Sequence, residues 1–238
     1  MKAIILAAGR GERMRPLTDH TPKPLLEVRG RRLIEWHLLA LARAGVRDVV
    51  INTAWLEEQF PAVLGDGSRY GVRIAYSMEG RDHGGALETA GGIAKALPML
   101  ATKPHDVFWV VSGDVFVPDF NFDPAHARNF SEHGQLAHLW LVANAPHHPR
   151  GDFGMTPEGF AVLDAPERYT WSSLALMRPG LVAGVTSGTR AALRPCLEAA
   201  IRQRRVSAER WNGAWTDVGT PERLAALESA DDPPPLVR

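Results

Sequence analysis

Along the first half of the chain, apolar positions alternate between short continuous runs and a helical period. Residues 4–8 form an apolar run that stops at Gly9, as a buried parallel strand does. Leu33, Ile34, Trp36, His37, Leu38, Leu41 and Ala44 recur at helical spacing, and Gly45 supplies the stop. The pattern then predicts a strand over 46–53, a helix over 55–64 closed by Gly65-Asp66-Gly67, and a strand over 72–76. A helix over 89–97 and a strand over 107–111 follow. Strands and helices alternating at these lengths indicate βαβ units, hence an α/β fold with a mainly parallel sheet covered on both faces.

The second half is less regular. Strands are predicted over 136–143 and 169–177, a helix over 189–203, and a last strand over 211–218 leading into a helix from Thr220. Residues 144–166 are rich in Pro, Gly, His and Asp and read as loops over one edge of the sheet. No repeat and no domain boundary is visible. One domain over 1–238 is expected, with a tail from about 231, where Pro233-Pro234-Pro235 ends the last helix.

Composition narrows the function classes. Apolar residues make up 45% and charged residues 23% of the 238, ordinary globular values. Lys plus Arg equals Asp plus Glu at 27 each, so no global field favours nucleic acid or a membrane surface. The single cysteine, Cys196, follows Pro195 in a helical pattern and reads as a packed thiol, which fits a reducing compartment. No stretch has the length of a signal sequence core or a membrane span, so a soluble, cytoplasmic protein is expected.

Three motifs carry candidate chemistry. The first is Leu6-Ala7-Ala8-Gly9-Arg10-Gly11-Glu12-Arg13-Met14-Arg15-Pro16-Leu17-Thr18, with Pro22-Lys23-Pro24-Leu25 behind it. A glycine loop directly after the first strand sits at the carboxyl edge of an α/β sheet, where such folds bind ligands, and glycines let backbone N–H groups approach phosphate. Arg13, Arg15 and Lys23 add cations. Met14 stands where the dinucleotide fingerprint needs its third glycine, and the Gly-Lys-Ser/Thr of a Walker loop is absent. The second motif is Val110-Val111-Ser112-Gly113-Asp114-Val115, a carboxylate at the end of a buried strand. The third is Trp215-Thr216-Asp217-Val218-Gly219-Thr220-Pro221, in which Thr220 and Pro221 read as an N-cap and first helical residue, leaving Asp217 unexplained.

The first motif resembles the amino-terminal signature of the sugar-phosphate nucleotidylyltransferases: a glycine-rich turn with Gly-x-x-Arg, then Pro-Leu-Thr, then Pro-Lys-Pro. The resemblance implies a Rossmann-like three-layer sandwich with a mixed, mainly parallel sheet, of the nucleotide-diphospho-sugar transferase type. It implies that Ala8, Gly9, Gly11 and Arg13 hold a triphosphate, that Lys23 bridges the reacting phosphates, and that Arg13 and Lys23 are the catalytic cations. Asp114 and Asp217 become the ligands of a Mg²⁺ cofactor, which favours one or two carboxylates plus substrate phosphates. Glu79 and Gly91 are expected to line the base. The reaction implied is attack by a sugar 1-phosphate oxygen on the α-phosphorus of a nucleoside triphosphate, releasing pyrophosphate, with charge neutralisation and positioning as the main catalytic terms.

Within that family the stretch Leu87-Glu88-Thr89-Ala90-Gly91-Gly92 has Glu88 where mannose-1-phosphate guanylyltransferases typically show the first glycine of Gly-Thr-Ala-Gly. It looks closer to the uridylyltransferase branch that takes N-acetylmuramate 1-phosphate in cell-wall (peptidoglycan) recycling. That likeness extends through Ile51-Asn52-Thr53-Ala54-Trp55, Leu64-Gly65-Asp66-Gly67-Ser68-Arg69 and the loop from Asn144 to Phe153. UTP is therefore the expected nucleotide, and Asn144, Asp152 and Asp164 are the expected sugar contacts. His147 and His148 are read as ordinary loop residues and not as metal ligands. Two departures bear on the sugar: Asp164-Ala165-Pro166 stands where relatives have Glu-Lys-Pro, and Trp171-Ser172-Ser173 where they have Ser-Gly or Ala-Gly. The alternatives are a guanylyltransferase acting on mannose 1-phosphate or a heptose phosphate, and a non-catalytic sugar-nucleotide-binding protein. The sequence leaves oligomeric state open; a monomer is compatible with it.

Overall fold

The computed structural model describes residues 1–229, so the expected tail from 231 lies outside the described residues. Seven strands form one twisted sheet: β1 (Lys2–Leu6), β2 (Asp48–Thr53), β3 (Arg73–Met78), β4 (Phe108–Ser112), β5 (Ala137–Val142), β6 (Thr170–Met177) and β7 (Val206–Arg210). Their spatial order is β7-β5-β6-β4-β1-β2-β3. All pairings are parallel except those of β6, which runs antiparallel to β4 and β5. The mixed, mainly parallel α/β sheet is thus the architecture expected from the alternation.

Side chains alternate across this sheet, with a register shift in β6 between Trp171 and Ala175 where it pairs with β5. Ala3, Ile5, Val49, Ile51, Trp109, Val111, Leu174 and Leu176 enter one core, with α1 (Leu33–Arg43), α2 (Gln59–Leu64) and α5 (Pro124–Glu132) over them. Ile4, Val50, Phe108, Val110, Ala175 and Met177 enter the other, under α4 (Glu88–Leu100) and α6 (Arg194–Arg202). Burial on both faces is why β1 and β4 read as unbroken apolar runs. Between these helices lies the short α3 (Glu79–His83), and α7 (Pro221–Glu228) closes the described chain, capped by the Thr220 hydroxyl as expected.

Three elements differ most from the sequence expectation, which also placed the first strand two residues late, gave no helix where α5 stands and read a small hairpin (Gly154–Met155 with Ala161–Val162) as loop. The second helix begins at Gln59, because Leu56 has φ 47° and Trp55 and Glu57 are engaged elsewhere. The helix expected from 189 begins at Arg194, since Ala191 spends its backbone groups on Leu87, Ala90 and Gly91. The last sheet strand is Val206–Arg210, while within 211–218 only Thr216–Asp217 is extended, paired with Val115–Phe116 outside the main sheet. Pairing partners, which local pattern does not encode, decided that case.

The topology also fixes where a ligand can sit. From β1 the chain moves outward to β2 and β3, then returns to the opposite side of β1 as β4. Loops leaving β1 and β4 therefore diverge, and a crevice opens at their carboxyl ends. Leu6 and Ser112 face each other there as the last register pair. Elsewhere the fold is closed by polar bonds: the nearly buried Arg178 donates to the carbonyls of His105, Phe130, Ser131, His133 and Gln135, tying the end of α5 to β6. Among the described residues no helix is long and apolar enough to cross a membrane.

Two histidines are folded into this frame uncharged. His37 on α1 is 1% exposed and bonds the Val115 carbonyl through Nε2, and burial holds its pKa down to about 4. His138 on β5 is held to about 4 by burial and by the neighbouring His126. In the unfolded chain both titrate near 6.5, so between pH 6.5 and 4 the unfolded state binds protons that the folded state does not. Their contribution is present above pH 6.5 and is lost as pH falls to 4, by about 3 kcal/mol per histidine. Urea midpoints measured from pH 7.5 to 4.5 should fall accordingly, and His138→Gln should flatten that slope.

Candidate active site

The crevice is a cavity of about 520 Å³ lined by residues 6–14 of the glycine loop, Lys23, Pro24, Asn52, Ala86, Glu88, Thr89, Ser112, Asp114, Arg190 and Gly219. The glycine loop owes its shape to local bonds. Gly11 has φ 68°, its carbonyl accepts from Met14 N at 2.9 Å and the Thr18 hydroxyl at 2.8 Å, and a Cβ there would lie 2.9 Å from Thr18 Cγ2. Arg10 stacks on Trp55 with its guanidinium carbon 3.6 Å from the ring centroid. It also donates to Thr18 O at 2.9 Å and Asp19 Oδ1 at 3.0 Å. Trp55 Nε1 donates to the same carbonyl at 2.9 Å, so the Pro16–Asp19 turn is strapped to the mouth of β2.

Arg13 lies exposed on the cavity wall and makes no hydrogen bond or ion pair to a described residue. Lys23, by contrast, is sunk into the floor with its side chain 10% exposed, and its ammonium sits 2.7 Å from Asp114 Oδ2. Ser112 Oγ donates to Asp114 Oδ1 at 2.6 Å. Burial pushes the Asp114 carboxyl pKa up, but the Lys23 charge and the hydrogen bonds from Lys23 and Ser112 outweigh it, and the net shift is downward. Asp114 is therefore an anion at neutral pH.

Asp217 is brought beside it by backbone pairing: Asp217 sits opposite Val115, and Val218 N donates to Asp114 O at 3.0 Å. Its own carboxylate is held by Arg223 at 2.5 Å and by His147 Nε2 at 3.0 Å. Asp114, kept ionised by a lysine, is a hard oxygen donor of the kind magnesium takes together with phosphate and water, and Asp217 is carried on the short strand paired with the residues just after it. No group of three or more His, Cys, Asp or Glu among the described residues could hold a metal by protein side chains alone.

A buried polar relay joins the two walls of the crevice. Asn52, at the end of β2, accepts from Ala7 N at 3.0 Å and donates to Glu79 Oε1 at 2.7 Å, and Glu79 Oε2 accepts from Leu87 N at 2.7 Å. Glu79 is fully buried; burial raises its pKa, offset in part by those two donors. Gly92 on α4 lets the relay close, since a Cβ there would lie 2.6 Å from both Asn52 Nδ2 and Glu79 Oε1.

Of the residues singled out by sequence, the crevice collects Ala8, Gly9, Gly11, Arg13, Lys23 and Asp114, while Asp217 is not part of its lining and stands on the strand paired with Val115. Glu79 and Gly91, expected to line the base, do not reach its surface. Glu79 is spent on the relay, and Gly91 is sealed against Thr189 O, which a Cβ would approach to 2.3 Å. Nor do the three expected sugar contacts form its wall. Asn144 uses its amide on Pro149, Arg168 and Thr170, and Asp152 binds Trp171 N, His148 and Arg194, so both brace the loop they sit in. Asp164 lines a separate shallow depression with Ala165 and Arg168. Ser172 turns into the core and donates to Trp140 O at 2.7 Å, which leaves Ser173, with φ 64°, as the residue in the glycine-like conformation.

Sequence reasoning missed Arg10, Asn52, Arg190, Arg223 and the approach of His147 to Asp217. Arg223 lies six residues past Asp217 on the helix that Thr220 caps, a spacing that was readable. His147 comes from a distant loop, and no local signal marks it.

Comparison with known proteins bears on the family and the fold. A family model described as nucleotidyl transferase matches residues 2–161. An N-acetylmuramate alpha-1-phosphate uridylyltransferase of Neisseria meningitidis serogroup B is 51% identical over 233 residues, 96% of this chain and 97% of that protein. A UTP–glucose-1-phosphate uridylyltransferase of a Synechocystis species is 38% identical over 122 residues, 49% of this chain and 31% of that one. Among solved structures, a Bacillus anthracis protein described as a glucose-1-phosphate thymidylyltransferase superposes with a TM-score of 0.79 over 98% of this chain and 97% of its own. At 20% identity it shows the shared fold.

Gly11→Ala combines a strained positive φ with a clash against Thr18. It should cost about 1–2 kcal/mol of stability and lower affinity for nucleoside triphosphate, read by calorimetric titration against wild type.

Proposed function

The chain belongs to the nucleotidyl transferase family and is a sugar-phosphate nucleotidylyltransferase, and we propose that it transfers UMP from UTP to N-acetylmuramate 1-phosphate, releasing pyrophosphate. The substrate reading is supported by 51% identity, over nearly the full length of both chains, to a protein of that activity. The observation that carries the mechanism is the Lys23–Asp114 pair beside the glycine loop, in the crevice at the carboxyl ends of β1 and β4, with Asp217 carried on the strand paired next to Asp114.

Both reactants are anions, so the first task is to offset their repulsion. Arg13, with no partner among the described residues, and the N–H groups of residues 8–11 receive the triphosphate. Lys23 stands between that loop and the carboxylates, where the sugar phosphate and the α-phosphate meet, and stabilises the charge that builds on the transferring phosphoryl oxygens. Asp114 and Asp217 would hold Mg²⁺, which supplies further neutralisation of the phosphate oxygens when bound. Ser112 keeps Asp114 oriented, and Arg223 with His147 keeps Asp217 in place. No covalent nucleophile is required, because alignment of two bound substrates supplies much of the acceleration. Cys196, half-buried with its pKa raised by burial, takes no part.

This reading places the protein in the cytoplasm, where UTP is available, as one catalytic domain that returns a cell-wall sugar to the nucleotide-sugar pool. Pyrophosphate release should require Mg²⁺ and be confined to UTP with N-acetylmuramate 1-phosphate among common triphosphates and sugar 1-phosphates. Asp114→Asn and Asp217→Asn should each reduce kcat by about 100-fold or more. Full activity in Asp114→Asn would sink the assignment of that carboxylate. Turnover with GTP and mannose 1-phosphate would keep the mechanism and overturn the substrates, and silence across the panel would favour a binding protein.

A further inference from the structure

Across the crevice from the glycine loop, Glu88 and Arg190 form an ion pair on the cavity wall, Arg190 Nε lying 2.9 Å from Glu88 Oε1. Neither residue is used by the mechanism above. Glu88 has φ 58°, a conformation that glycine adopts freely and that costs an L-residue energy. A side chain retained at such a position points to a use for the side chain.

The backbone that carries Arg190 is fixed. Ala191 N donates to Leu87 O at 2.9 Å, and its carbonyl accepts from Ala90 N at 2.9 Å and Gly91 N at 3.1 Å. Thr189 O packs on Gly91, and Gly188 packs on His83. The guanidinium itself is open: the side chain is 74% exposed, and its terminal nitrogens have no partner among the described residues. Arg190 is thus a free donor fork on an ordered stem, which lowers the entropy cost of engaging a ligand.

We propose that Arg190, steadied by Glu88, reads the nucleotide base by donating to a keto oxygen, such as O4 of uracil, and disfavours bases with an amino group there. The inference rests on the reading of the crevice as a nucleotide site. Ala86, Glu88, Thr89 and Arg190 line the same cavity as residues 9–13, so a nucleotide whose triphosphate sits on those residues would have its base within the space they share. A lone carboxylate at 88 would attract the amino groups of cytosine or guanine. Neutralised by Arg190, it leaves a net surface of donors, and a guanidinium has no acceptor for the cytosine N4 amino group. Guanine O6 presents the same keto chemistry, so Arg190 separates keto from amino bases and leaves ring size to the cavity. Glu88 acts through Arg190 and is a positioning residue.

The test compares kcat/KM for UTP and CTP, with the same sugar 1-phosphate, in wild type, Arg190→Ala, Arg190→Lys and Glu88→Gly. The UTP-over-CTP ratio should fall at least about tenfold in Arg190→Ala, with the loss read mainly in KM, and Arg190→Lys should restore part of it. Glu88→Gly should lower the same ratio while raising the thermal midpoint, because the strained φ is relieved; a merely structural Glu88 would not give that combination. An equal loss for both nucleotides would make Arg190 a phosphate contact and overturn the proposal, as would an unchanged ratio. If wild type turned over neither nucleotide, the reaction reading would fail instead, and calorimetric affinities of UTP and CTP for wild type and Arg190→Ala would decide Arg190 by the same ratio.

Discussion

The crevice between β1 and β4 is the constraint on which the rest of the molecule depends. Two parallel neighbours whose connections leave in opposite directions cannot have their carboxyl ends covered by one loop. The chain uses that gap by sending the glycine loop out of β1 and the Ser112-Gly113-Asp114 turn out of β4. Gly113 makes the junction tight: its N–H bonds Leu6 O at 2.8 Å, and a Cβ would meet Pro24 at 3.1 Å. Lys23 and Asp114 are brought into contact through this junction, although 91 residues separate them in sequence.

A third, small core holds the crevice's outer parts in register. Met14 from the glycine loop, Val28, Leu33 and Trp36 from the start of α1, Phe116 beyond Asp114, and Val218 beyond Asp217 pack together, with Leu224 and Leu227 of α7 against them. The segments that deliver Arg13, Asp114, Asp217 and Arg223 therefore each also deliver an apolar neighbour to this cluster. Misplacing one would strain packing as well as chemistry, since close-packed interiors resist sub-ångström shifts. The Trp36–Phe116 edge contact, centroids 5.3 Å apart, lies at its centre.

Electrostatically, the resting site is nearly self-compensated. Lys23 is paired with Asp114, Arg223 with Asp217, and Arg190 with Glu88, while Arg13 remains open to attract an anion. Holding opposite charges on a fixed frame keeps each in its working position before substrate arrives, so that little reorganisation is needed during transfer. The exposed Arg190–Glu88 pair adds little to stability by itself. The value of these pairs here is orientation.

The sequence by itself determined the fold class, the first four strands and the glycine loop after β1, because each rests on local rules: apolar runs for doubly buried strands, helical periodicity for α1 and α4, and glycines where backbone must stay bare. Asp114 reads locally as a turn residue after a strand, and its selection as a metal ligand, like that of Asp217, came from the family resemblance. Tertiary structure alone decided the rest. Glu79 reads like Asp114 in one dimension, yet burial and two donors made it a strut. Val206–Arg210 became a sheet strand, and most of 211–218 did not, because an edge beside β5 was open to the former. His147, Arg223 and Arg190 joined the site through folding of segments far apart in sequence. Periodicity records how a residue relates to its neighbours in the chain; whether a polar side chain faces substrate or supports the wall behind it depends on what the fold packs against it.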